Sequence, residues 1–427
     1  AYGNTEDSDL WSEVQKAAGK PILEIEQGVT RQPGVPLIRA MFDKTGVLLS
    51  ETRFAADPTT IAGAPPQSWL LPIAVQPLLD NKSGGKAETG LLKAPTRFAV
   101  APPALVNAGQ KTYGRVLYPA GSMPAMSAAL PKLAAADQYG LLNDTAALGF
   151  AGYQPAGDML TLMAVLPVDA DAIVWQRALA LLDEIDGHYA DGAPKTAFHA
   201  AALKLLQPLS AKLGFAARAG EDGNIQILRM ELDRLAGRFG DPGAIAWARK
   251  IMDDKAANPV DRRAALDVVA AGADAQSFDA LLAKARAEKD PLAKQHMFEA
   301  LAGVQDPALA KRMVEIAFSN DPPAGTTPSL LYTLAANHPD LTWDGAVARL
   351  KDTKNPMEQT LRWEIAVGLA SGSALPGRIA AVGDYEKSVP EAARRPFLGA
   401  IAAIRQNQHI RERAIPEITA WVAAHVK

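Results

Sequence analysis

The sequence predicts a multidomain chain: a small antiparallel β-sandwich followed by a large all-α superhelical solenoid of the HEAT-like or armadillo-like kind. Three observations carry this reading. Short apolar runs separated by turn formers fill the stretch from Gln32 to Tyr118, alanine-rich segments of helical length follow Ala120, and Asp-Pro or Asn-Pro dipeptides recur through that second part. The boundaries drawn from these changes are 1–30, 31–119 and 120–427.

The first thirty residues read as helix. Asp7 and Ser8 are placed to accept from the free N–H groups of a first turn, Leu10, Val14 and Ala17 follow at helical spacing, and Gly19 is a natural stop. The β part then offers five strand-length segments, PLIRAMFD, VLLSETRF, SWLLPIAVQPL, TGLLKAPTRFAVA and YGRVLY. DKTG at 43–46 is a hairpin turn, and DNKSGGKAETG is a loop that lacks the spacing and hydroxyl of a phosphate-binding one.

In the helical part the dipeptides begin at Asp241, Asn258, Asp290, Asp306, Asp321 and Asn355, at intervals of 17, 32, 16, 15 and 34 residues. Each is expected to start a helix. The Asp or Asn side chain caps the first N–H groups, and proline in the first turn forfeits no hydrogen bond. Met297, Leu301 and Val304 and then Leu309, Met313 and Ile316 repeat one apolar stripe on consecutive segments, as in an antiparallel helix pair. Pairs of about 32 residues stacked in a row describe a solenoid, and an irregular helical bundle is the other arrangement compatible with them.

Composition limits function. The 427 residues carry a net charge of -3, a pI near 6.1 and 48% hydrophobic residues, so there is no global basic field for nucleic acid. The absence of cysteine excludes disulfides and thiolate chemistry. No apolar run reaches the ~20 residues that span a bilayer. The expectation is a soluble bacterial protein of the cytoplasm or periplasm.

No catalytic constellation is legible. His188, His199, His296, His338, His409 and His425 never fall three to five apart, so the two-imidazole zinc pattern is absent, and no serine sits in a G-x-S-x-G elbow. The acidic run with Asp183, Glu184, Asp186 and Asp191 misses calcium-loop positions and reads as a solvated helix end. One basic cluster stands out near the C-terminus, with Arg394, Arg395, Arg405, Arg411 and Arg413 against Glu412. It is either a solvent-facing stripe or an anchor for an anionic ligand group, because guanidinium forks suit carboxylates.

The order of the segments YGNTEDSDLWSEVQKAAGKP, TRQPGVPLI, ETRF, SWLLPI, VNAGQKTYGRVLY, ADQYGLLNDTAAL and Val174-Trp175 resembles the C-terminal half of zinc aminopeptidases of the aminopeptidase N and puromycin-sensitive type. The resemblance covers essentially the whole chain. It implies that residues 1–30 close a thermolysin-like catalytic domain. Gln32, Gly34 and Pro36 would enter the β-sandwich, Trp69, Pro72 and Ile73 lie in its middle, and Asn107, Gly109, Arg115, Val116 and Tyr118 form its closing strand. Asp137, Leu141 and Asp144 would open the helical domain. Val29 and Glu51 depart from the tryptophan and glutamine frequent in that family.

By the same resemblance the zinc helix, the amine-binding loop and the catalytic tyrosine lie upstream of residue 1. No catalytic or metal residue can then be assigned here, and zinc belongs to the catalytic domain. The implied role is a noncatalytic cap whose helical bowl limits which peptides reach the active site, with the catalytic domain and peptide substrates as partners. Arg394, Arg405 and Arg411 are its candidate contacts to a peptide carboxylate. The alternative is a stand-alone helical-repeat adaptor that binds protein or peptide partners on its concave face.

Overall fold

The computed structural model describes residues 4–61, 65–79, 82–218, 220–352, 354 and 356–425. Its packing divides into two compact units, 1–177 and 178–427. The composition changes at Ala120, yet the first unit continues some fifty residues past that point.

Helix α1 (Asp7–Ala18) ends at Gly19, which is left-handed with φ 62°, as the sequence predicts. Its cap differs from the expected one: Glu6 is the N-cap and shares a capping box with Asp9. Neither α1 nor α2 (Ile22–Thr30) has a buried residue, and Leu10 is 61% exposed. Tyr2 and Gly3 of the opening motif lie outside the described residues.

Two sheets face each other. One has the order β6 (Thr96–Phe98), β2 (Gly46–Phe54), β1 (Val35–Asp43), β8 (Arg115–Leu117); in the other, β3 (Leu71–Leu79) is flanked by β5 (Glu88–Leu92), β4 (Lys82–Ser83) and β7 (Ala104–Val106). Alternating residues of both sheets, among them Ile38, Leu49, Ile73, Val75, Phe98 and Val116, make one core. The β1–β2 hairpin pairs Val35 with Phe54 through Asp43 with Gly46. Gly46 has φ 128° and the Phe98 carbonyl lies against it, so no side chain fits there. Glu51, the departure from the family pattern, accepts the Trp69 N–H at 3.3 Å. All pairings are antiparallel except that of β1 with β8. Strand β8 arrives from a separate excursion of the chain, so its direction is not fixed by a hairpin.

Helices α3 (Met123–Ala129), α4 (Ala135–Ala151) and α5 (Asp158–Met163) belong to this unit because α4 packs on β8. Asp137 Oδ1 accepts from the Gly109 N–H at 2.7 Å. Asp144 Oδ2 accepts from the Val116 N–H at 3.0 Å, and its Oδ1 from Arg115 Nη1 at 3.2 Å. Asn107, left-handed at φ 60°, clamps the intervening loop through Thr112 at 2.9 and 3.0 Å. The residues that carry the family resemblance here are thus the seam between sandwich and helices. Burial pushes the Asp144 carboxyl up to about 6 despite the hydrogen bonds that favour its ionised form.

Helix α6 (Ala172–His188) leads into the second unit, which holds α7 (Ala193–Leu213), α8 (Gly223–Arg238), α9 (Pro242–Ile251), α10 (Pro259–Ala271), α11 (Ala275–Ala287) and α12 (Pro291–Ala302). It continues with α13 (Pro307–Ala317), α14 (Thr327–Asn337), α15 (Pro339–Lys351), α16 (Gln359–Ser371), α17 (Pro376–Glu386), α18 (Arg395–His409) and α19 (Ile415–His425). Asp241, Asn258, Asp290 and Asp306 are N-caps with proline in the first turn, each accepting backbone N–H bonds.

Asp321 is a correction. Pro323 follows Pro322 and disfavours helix at it, so α14 starts six residues later, and Asp321 instead binds Arg286 at 2.6 Å. Asn355 lies outside the described residues, and α16 is capped by Glu358.

Helices α8, α10, α12, α14, α16 and α18 lie side by side in that order, while α13 and α15 pair in the same way. Leu301, Val304, Leu309, Met313 and Ile316 are buried together in the large core of this stack. Polar rungs repeat with the same period. Arg349 reaches Glu315 and Arg378 reaches Asp344, each 34 residues away; Asn337 donates to the Gly303 carbonyl, again 34 away; and Arg263 holds Glu299 at a separation of 36. Arg312, Arg349 and Arg378 also stand over Phe278, Phe318 and Trp343 at 5.1–5.4 Å from the ring centres. This second unit is a two-helix repeat stack.

Candidate functional site: a charged cavity at Arg411

The three candidate arginines do not converge. Arg394 precedes α18 and gives its Nε–H to the Val389 carbonyl at 2.9 Å, a structural role. Arg405 is exposed on α18. Arg411 lines a cavity of about 150 Å³ within the second unit, which neither Arg394 nor Arg405 reaches.

Its position has a local cause. Pro416 near the start of α19 has no N–H to give, and its ring would crowd the carbonyl of Glu412 in a regular helix. The chain relaxes into a wide π turn over Ile410–Ala414, closed by the Ile415 N–H on the Ile410 carbonyl. Arg411 leaves the helix from that turn.

The other charged groups of the lining, with Tyr189, come from four places: the end of α6 (Asp183, Asp186), the segment after it (Tyr189, Asp191), Lys195 on α7 and Arg238 at the end of α8. Asn337 adds an amide already committed to Gly303. The acidic run is a solvated helix end at Asp183, Glu184 and Asp191, which are exposed, but not at Asp186, which is buried. Asp186 is 5% exposed and hydrogen-bonded to His199 Nε2 at 2.6 Å, with Lys195 and Arg238 each at 3.8 Å. Carboxylates at a helix C-terminus oppose the helix dipole, and here cations from the neighbouring helices offset that cost.

Each carboxylate has its own side-chain partner. Asp183 binds Arg238, Asp191 binds Lys195 at 3.3 Å, and Asp186 binds His199, whose ring stacks on Phe239 at 4.4 Å. Arg411 has no ion-pair or hydrogen-bond partner among the described residues, and its buried Nε is unsatisfied. Burial, reinforced by the nearby Arg411 charge, holds the His188 imidazole down at about 4. The cavity is thus a set of closed ion pairs plus one open guanidinium, and what it can accept is a single anionic group.

Catalytic chemistry is another matter. Tyr189, the cavity's phenol, is engaged with Thr419 Oγ1 at 2.9 Å. Among the described residues no group of three His, Asp or Glu side chains could hold a metal ion, so the zinc implied by the resemblance does not fit these residues. No helix among them is long and apolar enough to cross a membrane.

Sequence comparison carries the rest. A family model described as the ERAP1-like C-terminal domain matches residues 104–406, which takes in Arg394 and Arg405 and stops just short of Arg411. The chain is 26% identical to a puromycin-sensitive aminopeptidase of Caenorhabditis elegans over 66% of its own length and 31% of that protein. It is 23% identical to aminopeptidase M1 of Arabidopsis thaliana over 81% of its length and 41% of that protein. It is 25% identical to the tricorn protease-interacting factor F2 of Thermoplasma acidophilum over 58% of its length and 30% of that protein. It spans about a third of the length of the relatives it matches. These relatives are eukaryotic and archaeal, so they lend no support to the bacterial origin expected from the sequence. The chain belongs to the family of ERAP1-like C-terminal domains, the C-terminal regions of aminopeptidase N-type enzymes.

Proposed function

We propose that this chain is the noncatalytic C-terminal region of a zinc metalloaminopeptidase that removes N-terminal residues from peptides, and that its helical unit covers the active site and limits peptide access. The observation that carries the reading is the family match over residues 104–406. The zinc and the residues that cut would be supplied by a catalytic domain outside residues 1–427. The exposed apolar side chains of α1, with no buried residue in that helix, suit a surface that such a domain covers.

Within this role Arg411 receives the C-terminal carboxylate of a peptide held by its N-terminus at the zinc. Its lack of a partner in a cavity where every acid is already paired supports this assignment. Arg394 and Arg405 contribute less, the first being engaged with backbone and the second exposed.

The purified 427-residue chain is assayed against aminoacyl anilides with added zinc, and its metal content is measured. No turnover and no stoichiometric zinc are expected. Turnover above background, or one bound zinc per chain, overturns the proposal.

A further inference from the structure

The segment between α7 and α8, described at 214–218 and 220–222, is tied down at few points. Arg229 on α8, 1% exposed, gives both Nη groups to Glu221 at 2.5 Å and its Nε–H to the Gly214 carbonyl at 3.2 Å. The Ala217 N–H donates to Asp261 Oδ2 on α10 at 3.1 Å, and the Phe215 ring stacks on Trp247 of α9 at 5.6 Å. Arg218 is exposed and turns back to the Lys212 carbonyl at 2.9 Å. One guanidinium and one carboxylate thus fasten this segment to the helices that follow it.

One turn beyond Arg229 on the same helix stands a carboxyl with no partner. Asp233 is 3% exposed and makes no hydrogen bond or ion pair among the described residues. The charges that act on it are Arg229, Asp261 and Asp241, the N-cap of α9. Helix α7, which also packs on α8, adds none among the described residues. Burial, helped by the two acids, pushes the Asp233 carboxyl up to about 8 against the pull of Arg229. At neutral pH it is an uncharged acid, and Arg229 is left wholly to Glu221 and the Gly214 carbonyl.

Ionisation reverses that balance. A buried carboxylate without a partner is costly, and the compensating charge at hand is Arg229, one helical turn away. A guanidinium that turns towards Asp233 gives up Glu221 and the Gly214 carbonyl. The same new charge repels Asp261, which holds the Ala217 N–H. Both fastenings weaken together.

We infer that the segment between α7 and α8 is a pH-gated strap, held on α8–α10 while Asp233 is uncharged and released when Asp233 ionises and draws Arg229 away from Glu221. The device is independent of the Arg411 cavity and of the peptidase reading.

The chain has no cysteine, so a nitroxide on Ala216→Cys, an exposed position of the strap, reports on this segment alone. The full chain so labelled is followed by continuous-wave electron paramagnetic resonance from pH 7 to 9. The mobile component should grow about tenfold, as the ionised fraction of a group titrating near 8 does, and shrink again on return to pH 7. Asp233→Asn, which keeps the shape of the uncharged acid, should hold the strap still at pH 9. Glu221→Ala removes the partner of Arg229 and should leave the strap mobile already at pH 7. Far-UV circular dichroism confirms that the helices of each variant are intact. A wild-type spectrum that does not change between pH 7 and 9, an equal change in Asp233→Asn, or an immobile strap in Glu221→Ala would each overturn the inference.

Discussion

Arg378 on α17 holds Asp344 at 2.7 Å and Asp340 at 2.9 Å, both on α15, while its guanidinium stands 5.4 Å over the Trp343 ring between them in sequence. The arginine is 6% exposed, and Asp340 also accepts the Ser373 hydroxyl at 2.5 Å. This is the most buried of the rungs that join successive repeats. Removing the cation leaves Asp340 partly buried without compensation, so Arg378→Ala should cost about 3–5 kcal/mol in chemical denaturation. Arg349→Ala, on an exposed rung, should cost only about 1 kcal/mol. Equal losses would show that burial does not set the strength of the rungs.

The caps separate what the sequence pattern suggests from what the fold uses. Asp306 accepts from the Ala308 and Leu309 N–H groups at 2.8 and 3.0 Å, so Asp306→Ala should cost about 1 kcal/mol. Asp321 begins no helix and holds only the half-exposed Arg286, so Asp321→Ala should cost under about 0.5 kcal/mol. Thermal melts of the two variants measure the difference, and a larger loss at Asp321 would contradict it.

The seam at Asp144 makes a pH prediction. Burial raises its folded-state value from 3.8 to about 6. An acid raised on folding contributes stability that is present in full below its unfolded value and is lost as pH rises through the folded one. Wild type should therefore gain stability relative to Asp144→Asn as pH falls from about 7 towards 4. Asp233, raised by burial to about 8, should show the same sign with its upper limit displaced to higher pH. Urea titrations at several pH values test this, and a pH-independent difference between wild type and either variant would contradict it.

Cutting the chain at the composition change should not release a tidy helical domain. A fragment beginning at Ala120 leaves Asp137 and Asp144 without Gly109 and Val116, and strips β8 from α4. Limited trypsin digestion of that fragment should trim residues up to about Arg177 and spare the repeats beyond. Protection of the 120–171 segment equal to that in the full chain would show that α3–α5 fold without the sandwich.

Much of this fold is legible in the sequence because its signals are local. Capping at Asp241, Asn258, Asp290 and Asp306, the DKTG hairpin and the Gly19 stop each depend on a few adjacent residues, and each appears where the sequence places it. Asp321 is misread for a local reason, the second proline; what the sequence leaves unread is non-local. The direction of β8, the seam between Gly109 and Asp137, and the rungs 34 residues apart depend on which segments meet in space. The site follows the same rule: Arg411 is one of five arginines in its cluster, and the signal that separates it from exposed Arg405, Pro416 five residues on, acts only through the turn it forces. Asp186 and His199, 13 residues apart on two helices, gave no spacing to recognise.

The most direct measurement of the central proposal uses the parent aminopeptidase with Arg411→Ala. Substrates are single-residue anilides and peptides of several residues, each peptide with a free or an amidated C-terminus. A partly desolvated arginine–carboxylate pair contributes about 1.5–3 kcal/mol, or about ten- to a hundredfold in affinity. The account predicts that the variant raises KM by that factor for free-acid peptides, leaves anilides unaffected, and shows no change for amidated peptides. Equal kinetics of wild type and variant on long free-acid peptides, or indifference of wild type to amidation, would contradict it.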